Sequence, residues 1–156
     1  KKTRCSSLER TIVYRCLIVK FLRINVVAAI IINQNKILIG KRKDDDIGGG
    51  KWEFPGGKIE IGETNKEALK RELHEELGIN AKIGKELMNY EHMFKTTIYN
   101  ISFMEIIEYE GEIRNNAHSE IKWVEFSNLL EYDFISGDDR FIQSFLKVNK
   151  NSFRKK

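Results

Sequence analysis

A mixed α/β domain is the fold class this sequence predicts, and three observations carry it. A β-branched apolar run, INVVAAIIIN at residues 24–33, is followed by a polar turn and a second apolar run. Behind the only proline comes an amphipathic segment, Thr64 to Leu77, with helical spacing of its apolar residues. Strand-like runs then continue the chain before a second helical run near its end, an order of elements that belongs to mixed α/β folds.

The first run reads as a buried strand, and KILIGKRK, after the turn Asn33-Gln34-Asn35, as its hairpin partner. KDDDIGGG is a loop, with three Asp, three Gly and a single apolar residue. Its Asp run lacks the spacing and closing Glu of an EF-hand. Thr64 with Glu67 forms a capping box, and Gly78 stands where a left-handed C-cap belongs. KELMNYEHMF, TTIYNISFMEIIEY and EIKWVEF are the later strands, the last preceded by a loop from Arg114 to Ser119. A second helix is expected to start near Gly137-Asp138-Asp139 and to run through RFIQSFLKVN.

At 156 residues the chain suits one domain with its own core. A hydrophobic content of 41% and a charged content of 32% exclude a disordered chain. The net charge of +4 is concentrated in basic ends, Lys1, Lys2 and Arg4 at one and Lys147, Lys150, Arg154, Lys155 and Lys156 at the other. Such ends favour solubility more than a stable nucleic-acid partner. Cys5 and Cys16 make neither a disulfide framework nor a zinc motif, which fits a reducing cytoplasm. Arg15, Lys20 and Arg23 interrupt the apolar stretch from Thr11 to Ile32, so neither a membrane span nor a signal peptide is expected there. The expected division is residues 1–23 as an extension or an added remnant, 24–148 as the domain, and 149–156 as a basic tail.

The helix from Thr64 to Leu77 is unusually acidic for its surroundings. On a wheel of about 100° per residue, Leu69, Leu73 and Leu77 form one stripe, Glu76 lies about 20° from Leu69 and Glu72 about 60°. Two carboxylates thus border the face that packs on a sheet, and Glu75 lies beside Arg71. Crowded like charges destabilise a helix, and more so where water is scarce. Arg71 offsets one of the three, and a divalent cation of the Mg²⁺ or Mn²⁺ kind would offset the rest through oxygen ligands. The other reading is a solvated face of mixed Glu and Lys.

From Gly57 the residues run Gly, five others, Glu63, seven others, then Arg71-Glu72-Leu73-His74-Glu75-Glu76-Leu77-Gly78-Ile79. This resembles the signature of the Nudix hydrolases at all nine fixed positions, and WEFPGGKIE resembles the MutT-like branch, the nucleoside triphosphate pyrophosphohydrolases. The resemblance spans Ile24 to about Val148. It implies an α/β/α sandwich with a mixed β-sheet, Mg²⁺ with Mn²⁺ as a substitute, and Glu72, Glu75 and Glu76 as metal ligands together with the Gly56 carbonyl. It implies a supporting role for Glu63, holding Arg71, and phosphate contacts by Arg42 and Lys58. It also implies water attack at the β-phosphorus of a nucleoside triphosphate, releasing a monophosphate and pyrophosphate.

One departure concerns a glutamate that the branch often carries six residues before the strand Trp. Counting back from Trp123 gives Ala117, then His118, with Glu120 closer in. Glu120 or Glu75 is therefore the expected proton acceptor. Asp138 falls where the branch carries a base-contacting residue, and it also suits a helix N-cap. Phe54, Tyr90 and Phe94 are candidates for base stacking or for the core. His74 lies in no His-Glu-x-x-His motif, and His92 has no evident partner in the sequence.

The expected function is hydrolysis of an oxidised purine or a pyrimidine triphosphate, with the nucleotide as sole partner, no membrane, and a monomer or homodimer. The alternatives are a non-catalytic ligand-sensing module of the same family and a hydrolase of another diphosphate-linked nucleoside.

Overall fold

The computed structural model describes residues 22–153, with side chains through residue 148. Strand β1 (Leu22–Ile30) leads into a two-residue β2 (Ile32–Asn33), β3 (Lys36–Lys41), β4 (Trp52–Glu53) and β5 (Gly56–Lys58). Helix α1 (Asn65–Leu77) follows, then the long strands β6 (Asn80–Phe94) and β7 (Thr97–Glu110). The described chain ends with β8 (Glu120–Glu125), a 3-10 segment (Phe126–Glu131) and α2 (Asp138–Phe153). Cys5 and Cys16 lie outside the described residues, as does all but the end of the expected extension.

The strands form two sheets. One has the order β5-β1-β7-β6, with β1 parallel to β7 and antiparallel to β5. In the other, β3 pairs antiparallel with β2 at one end, β4 at the other and β8 along its length.

The expected long hairpin is therefore corrected. Only Ile32 and Asn33 pair back with β3, while Leu22 to Ile30 lies in register with Thr97 to Glu105. The reason is burial on both faces. Val27, Ala29 and Ile31 pack against Leu69, Leu73 and Leu77 of α1, whereas Ala28 and Ile30 join Phe103, Phe141 and Ile142 on the α2 side. A strand apolar on both faces is placed at the centre of a sheet rather than in a two-stranded ribbon. At Ile31 the chain crosses into the second sheet, and its carbonyl accepts from the Leu38 N–H at 3.1 Å. The result is an α/β/α sandwich with a mixed sheet.

Helix α1 is delimited by the chemistry its sequence predicts. Thr64 Oγ1 accepts from the Glu67 N–H at 3.3 Å, and Glu67 Oε2 accepts from the Thr64 N–H at 2.8 Å. Gly78 ends the helix at φ 69°, a conformation that favours glycine. At the other end of the chain, α2 starts at Asp138 as expected and runs to Phe153. Among the described residues, no helix is long and apolar enough to cross a membrane.

Candidate active site

The Gly56-Gly57 pair explains how α1 can be so acidic. Strand β5 lies against β1 with Gly56 opposite Ala28. A Cβ on Gly56, which sits at φ 151°, would come within 2.1 Å of the Val27 carbonyl oxygen. A Cβ on Gly57 would come within 2.3 Å of the Glu72 carboxyl. The bare backbone at Gly57 therefore admits the Glu72 carboxylate, Gly56 allows β5 to lie close against β1, and the Gly56 N–H donates to Glu76 Oε2 at 3.0 Å.

Arg71 organises the outer side of this cluster. It donates from Nε to Glu63 Oε1 at 2.7 Å and from Nη2 to Glu63 Oε2 at 2.9 Å, a bidentate pair. Nη1 donates to Glu72 Oε1 at 2.8 Å, and Nη2 also reaches the Lys58 carbonyl at 3.0 Å. The hydrogen bonds from Arg71 and from the Glu60 backbone hold the Glu63 carboxyl at a pKa of about 2, and the carboxylates raise that of Arg71. Glu75 stands 3.5 Å from Arg71 with its side chain 58% exposed, so it faces solvent.

Glu76 has the opposite environment. Burial pushes its pKa up to about 7, with Glu53 and Glu72 adding to the rise and His118 and the Gly56 N–H opposing it. Desolvation is the main cause of the rise, and carboxylate oxygens held where water is scarce fit a hard divalent cation, which would favour their charged form. Among the described residues, no three acidic or histidine side chains already stand in coordinating geometry.

Two residues of the cluster were not singled out from the sequence. Glu53 places Oε2 at 2.6 Å from Arg42 Nη1 and Oε1 at 3.3 Å from His118 Nε2. Strand alternation offered a signal, because Trp52 and Phe54 are both buried on the α2 side, which turns Glu53 toward the α1 side. His118 is buried and reaches the carboxylates, whereas Glu120 pairs with Lys122 at 3.1 Å and is half exposed. Burial works against charging His118, but Glu53 and Glu76 outweigh it and raise its pKa.

Glu53, Gly56 and Gly57 bring the cluster to a cleft of about 580 Å³. Its lining includes Arg42, Lys58, Glu53 and the two glycines, together with Asp138, His92 and Phe94. Asp138 is 4% exposed, and its Oδ2 accepts from the Phe54 N–H at 2.9 Å. Its side chain does not cap α2, since Asp139 Oδ1 takes the N–H groups of Gly137 and Arg140 at 3.2 and 2.7 Å. Burial pushes Asp138 up to about 8. Phe54 and Tyr90 belong to the core cluster under α2, and Phe94 is 43% exposed. His92 does have a partner, Ser136 Oγ at 2.8 Å from Nε2, which joins β6 to the loop before α2.

The NUDIX domain family model matches residues 22–145, which include every one of these groups. The chain belongs to the Nudix family. Among curated Nudix relatives it is 32% identical over 125 residues to the CTP pyrophosphohydrolase of Escherichia coli strain K12, a match covering 80% of this chain and 93% of that one. It is 34% identical over 127 residues to the 8-oxo-dGTP diphosphatase of the same strain, covering 81% and 98%. A solved MutT structure from work on Aliivibrio salmonicida and Vibrio cholerae superimposes with a TM-score of 0.68 at 35% identity, covering 78% of this chain and 95% of the other. The chain is thus a MutT-like Nudix protein, of a kind that works with a divalent metal ion.

Proposed function

We propose that this Nudix chain is a nucleoside triphosphate pyrophosphohydrolase that uses Mg²⁺, or Mn²⁺ in its place, and converts an oxidised or pyrimidine triphosphate to the monophosphate and pyrophosphate. The observation that carries the reading is the buried Glu76 carboxyl beside Glu72 and Glu53, the last of which lines a cleft with Arg42 and Lys58. Relatives called CTP pyrophosphohydrolase and 8-oxo-dGTP diphosphatase support it.

Glu72, Glu75, Glu76 and the Gly56 carbonyl would hold the ion, which supplies charge neutralisation at phosphate oxygens and acidifies a water. Arg42 and Lys58 bind the phosphate chain and aim its β-phosphorus at the carboxylate cluster. Glu63 keeps Arg71 in place, and Arg71 in turn fixes Glu72. A carboxylate takes the proton of the attacking water, with Glu75 and Glu120 as the candidates. Asp138, which also lines the cleft, meets the base edge. Kept protonated by burial, it offers a donor as well as an acceptor. The protein acts in the cytoplasm on free nucleotides, as a monomer or homodimer, without a nucleic-acid or membrane partner.

The test is pyrophosphate release from a nucleotide panel with Mg²⁺, for the wild type and Glu76→Gln. Release from one or two triphosphates, lost in the variant, supports the reading. Turnover of diphosphate-linked nucleosides alone, or nucleotide binding without turnover, overturns it in favour of another hydrolase or a sensor.

A further inference from the structure

His118 is built into the fold more firmly than a loop residue needs to be. Its main chain is pinned on both sides by Asn115, whose Oδ1 accepts from the His118 N–H at 3.0 Å and whose Nδ2 donates to the His118 carbonyl at 2.9 Å. The same loop is fastened to the end of α1, where the Asn116 N–H donates to the Glu76 carbonyl at 2.9 Å and Asn116 Nδ2 to the Glu75 carbonyl at 3.2 Å. It is fastened to β3 as well, through the Ser119 N–H on the Lys41 carbonyl at 2.9 Å. The imidazole lies over Gly40, where a Cβ would sit 2.5–2.6 Å from the ring atoms. The ring therefore occupies space left by a missing side chain, between the strand carrying Glu53 and the helix carrying Glu76.

Its two nitrogens differ. Nε2 stands 3.3 Å from Glu53 Oε1, and Nδ1 is buried without a hydrogen-bond partner. A carboxylate facing Nε2 places the proton there, so the ring donates toward Glu53. The other Glu53 oxygen is held by Arg42 Nη1 at 2.6 Å. Glu53 is thus gripped from both sides, while the preceding residue in the loop, Ala117, has no polar side chain to offer.

Building on the functional reading above, we propose that His118 is a positioning residue that holds Glu53 in the site, and that Glu53 supplies the carboxylate that the loop from 114 to 119 lacks in this chain. Arg42 then has two tasks, since the guanidinium that meets phosphate also braces the opposite oxygen of Glu53. Glu120, paired with Lys122, has no part in the arrangement.

Two substitutions separate this role from general packing. A Gln at position 118 can present its amide nitrogen close to where Nε2 stands, whereas Asn places its amide near the Nδ1 position. His118→Asn is expected to lower kcat roughly 10- to 100-fold, the usual effect of losing a group that orients an active-site ligand, with KM within about twofold. His118→Gln is expected to recover at least a several-fold part of that loss. In a Glu53→Gln background His118→Asn should cost less than about twofold more. Equal kcat values for the Asn and Gln variants, or the same factor in both backgrounds, would overturn the proposal. The contact also has a readout independent of turnover: the imidazole ¹⁵N signals of His118 should shift in Glu53→Gln and stay unmoved in Glu120→Gln. If the wild type hydrolyses no triphosphate, the functional reading fails and this spectrum alone decides the contact, with an unmoved His118 signal in Glu53→Gln sinking it.

Discussion

The Gly56 N–H donates to Glu76 Oε2 at 3.0 Å and ties the last turn of α1 to strand β5 beside the cleft. That bond favours the charged carboxylate, but burial prevails and the group titrates near 7 rather than at its ordinary 4.5. A carboxyl with a raised pKa contributes stability that is complete below about 4.5 and is lost as the pH rises through about 7. Metal-free protein should therefore melt at a lower temperature at pH 8 than at pH 5, and Glu76→Gln should narrow that gap. Mg²⁺ should raise the wild-type Tm at pH 8 and leave the variant nearly unmoved. Thermal melts at both pH values, with and without Mg²⁺, check this. An identical gap in both proteins would count against it.

Gly57 and Glu72 give a second prediction. A methyl group on Gly57 meets the Glu72 carboxyl at 2.3 Å, so that carboxyl must leave Arg71 to make room. Gly57→Ala is expected to reduce kcat about 10-fold or more, with a Tm only a few degrees lower. Gly56→Ala is a different case, because the obstacle is the Val27 carbonyl oxygen, which is backbone. It should destabilise the fold by about 1–3 kcal/mol. Denaturant titration beside steady-state kinetics separates the two outcomes.

The Glu63–Arg71 pair has the reverse pH dependence. Glu63 is held at about 2, so its contribution is present above about 4.5 and disappears as the pH falls toward 2. Glu63→Gln should melt below the wild type at pH 7, and the two curves should converge near pH 2 to 3. Arg71→Lys should fare little better than loss of the pair, because an ammonium cannot reproduce the bidentate fork.

Asp138 supplies a test of base reading. Burial keeps it protonated up to about 8, so the carboxyl changes from donor and acceptor to acceptor alone above that pH. The wild-type KM for the preferred triphosphate should change through about pH 8, and Asp138→Asn should flatten that change. Parallel pH–KM profiles for the two proteins would exclude a direct part for Asp138.

Much of the site was legible without coordinates because its spacing is local. Glu72, Glu75, Glu76 and Arg71 lie on one helix, and a period of 3.6 residues sets their angular relations. Thr64, Glu67 and Gly78 set the ends of that helix by hydrogen bonds within a few residues. The same periodicity showed that Glu76 and Glu72 border the buried stripe, and the alternation of apolar residues marked the strands.

What periodicity cannot reach is pairing between distant segments. INVVAAIIIN looked like one arm of a hairpin because the turn after it is short, yet β1 took β7 as its neighbour. The pairing was decided by which partner could cover both apolar faces at once. Glu53 and His118, 65 residues apart, meet only because β3 lies between the strands that lead to them, and Gly40 leaves the room. The sequence by itself determined the family signature, the acidic helix and the capping residues that delimit it. The tertiary structure decided which additional side chains share their space, because burial and contact between remote segments depend on sheet order, and no local pattern encodes sheet order.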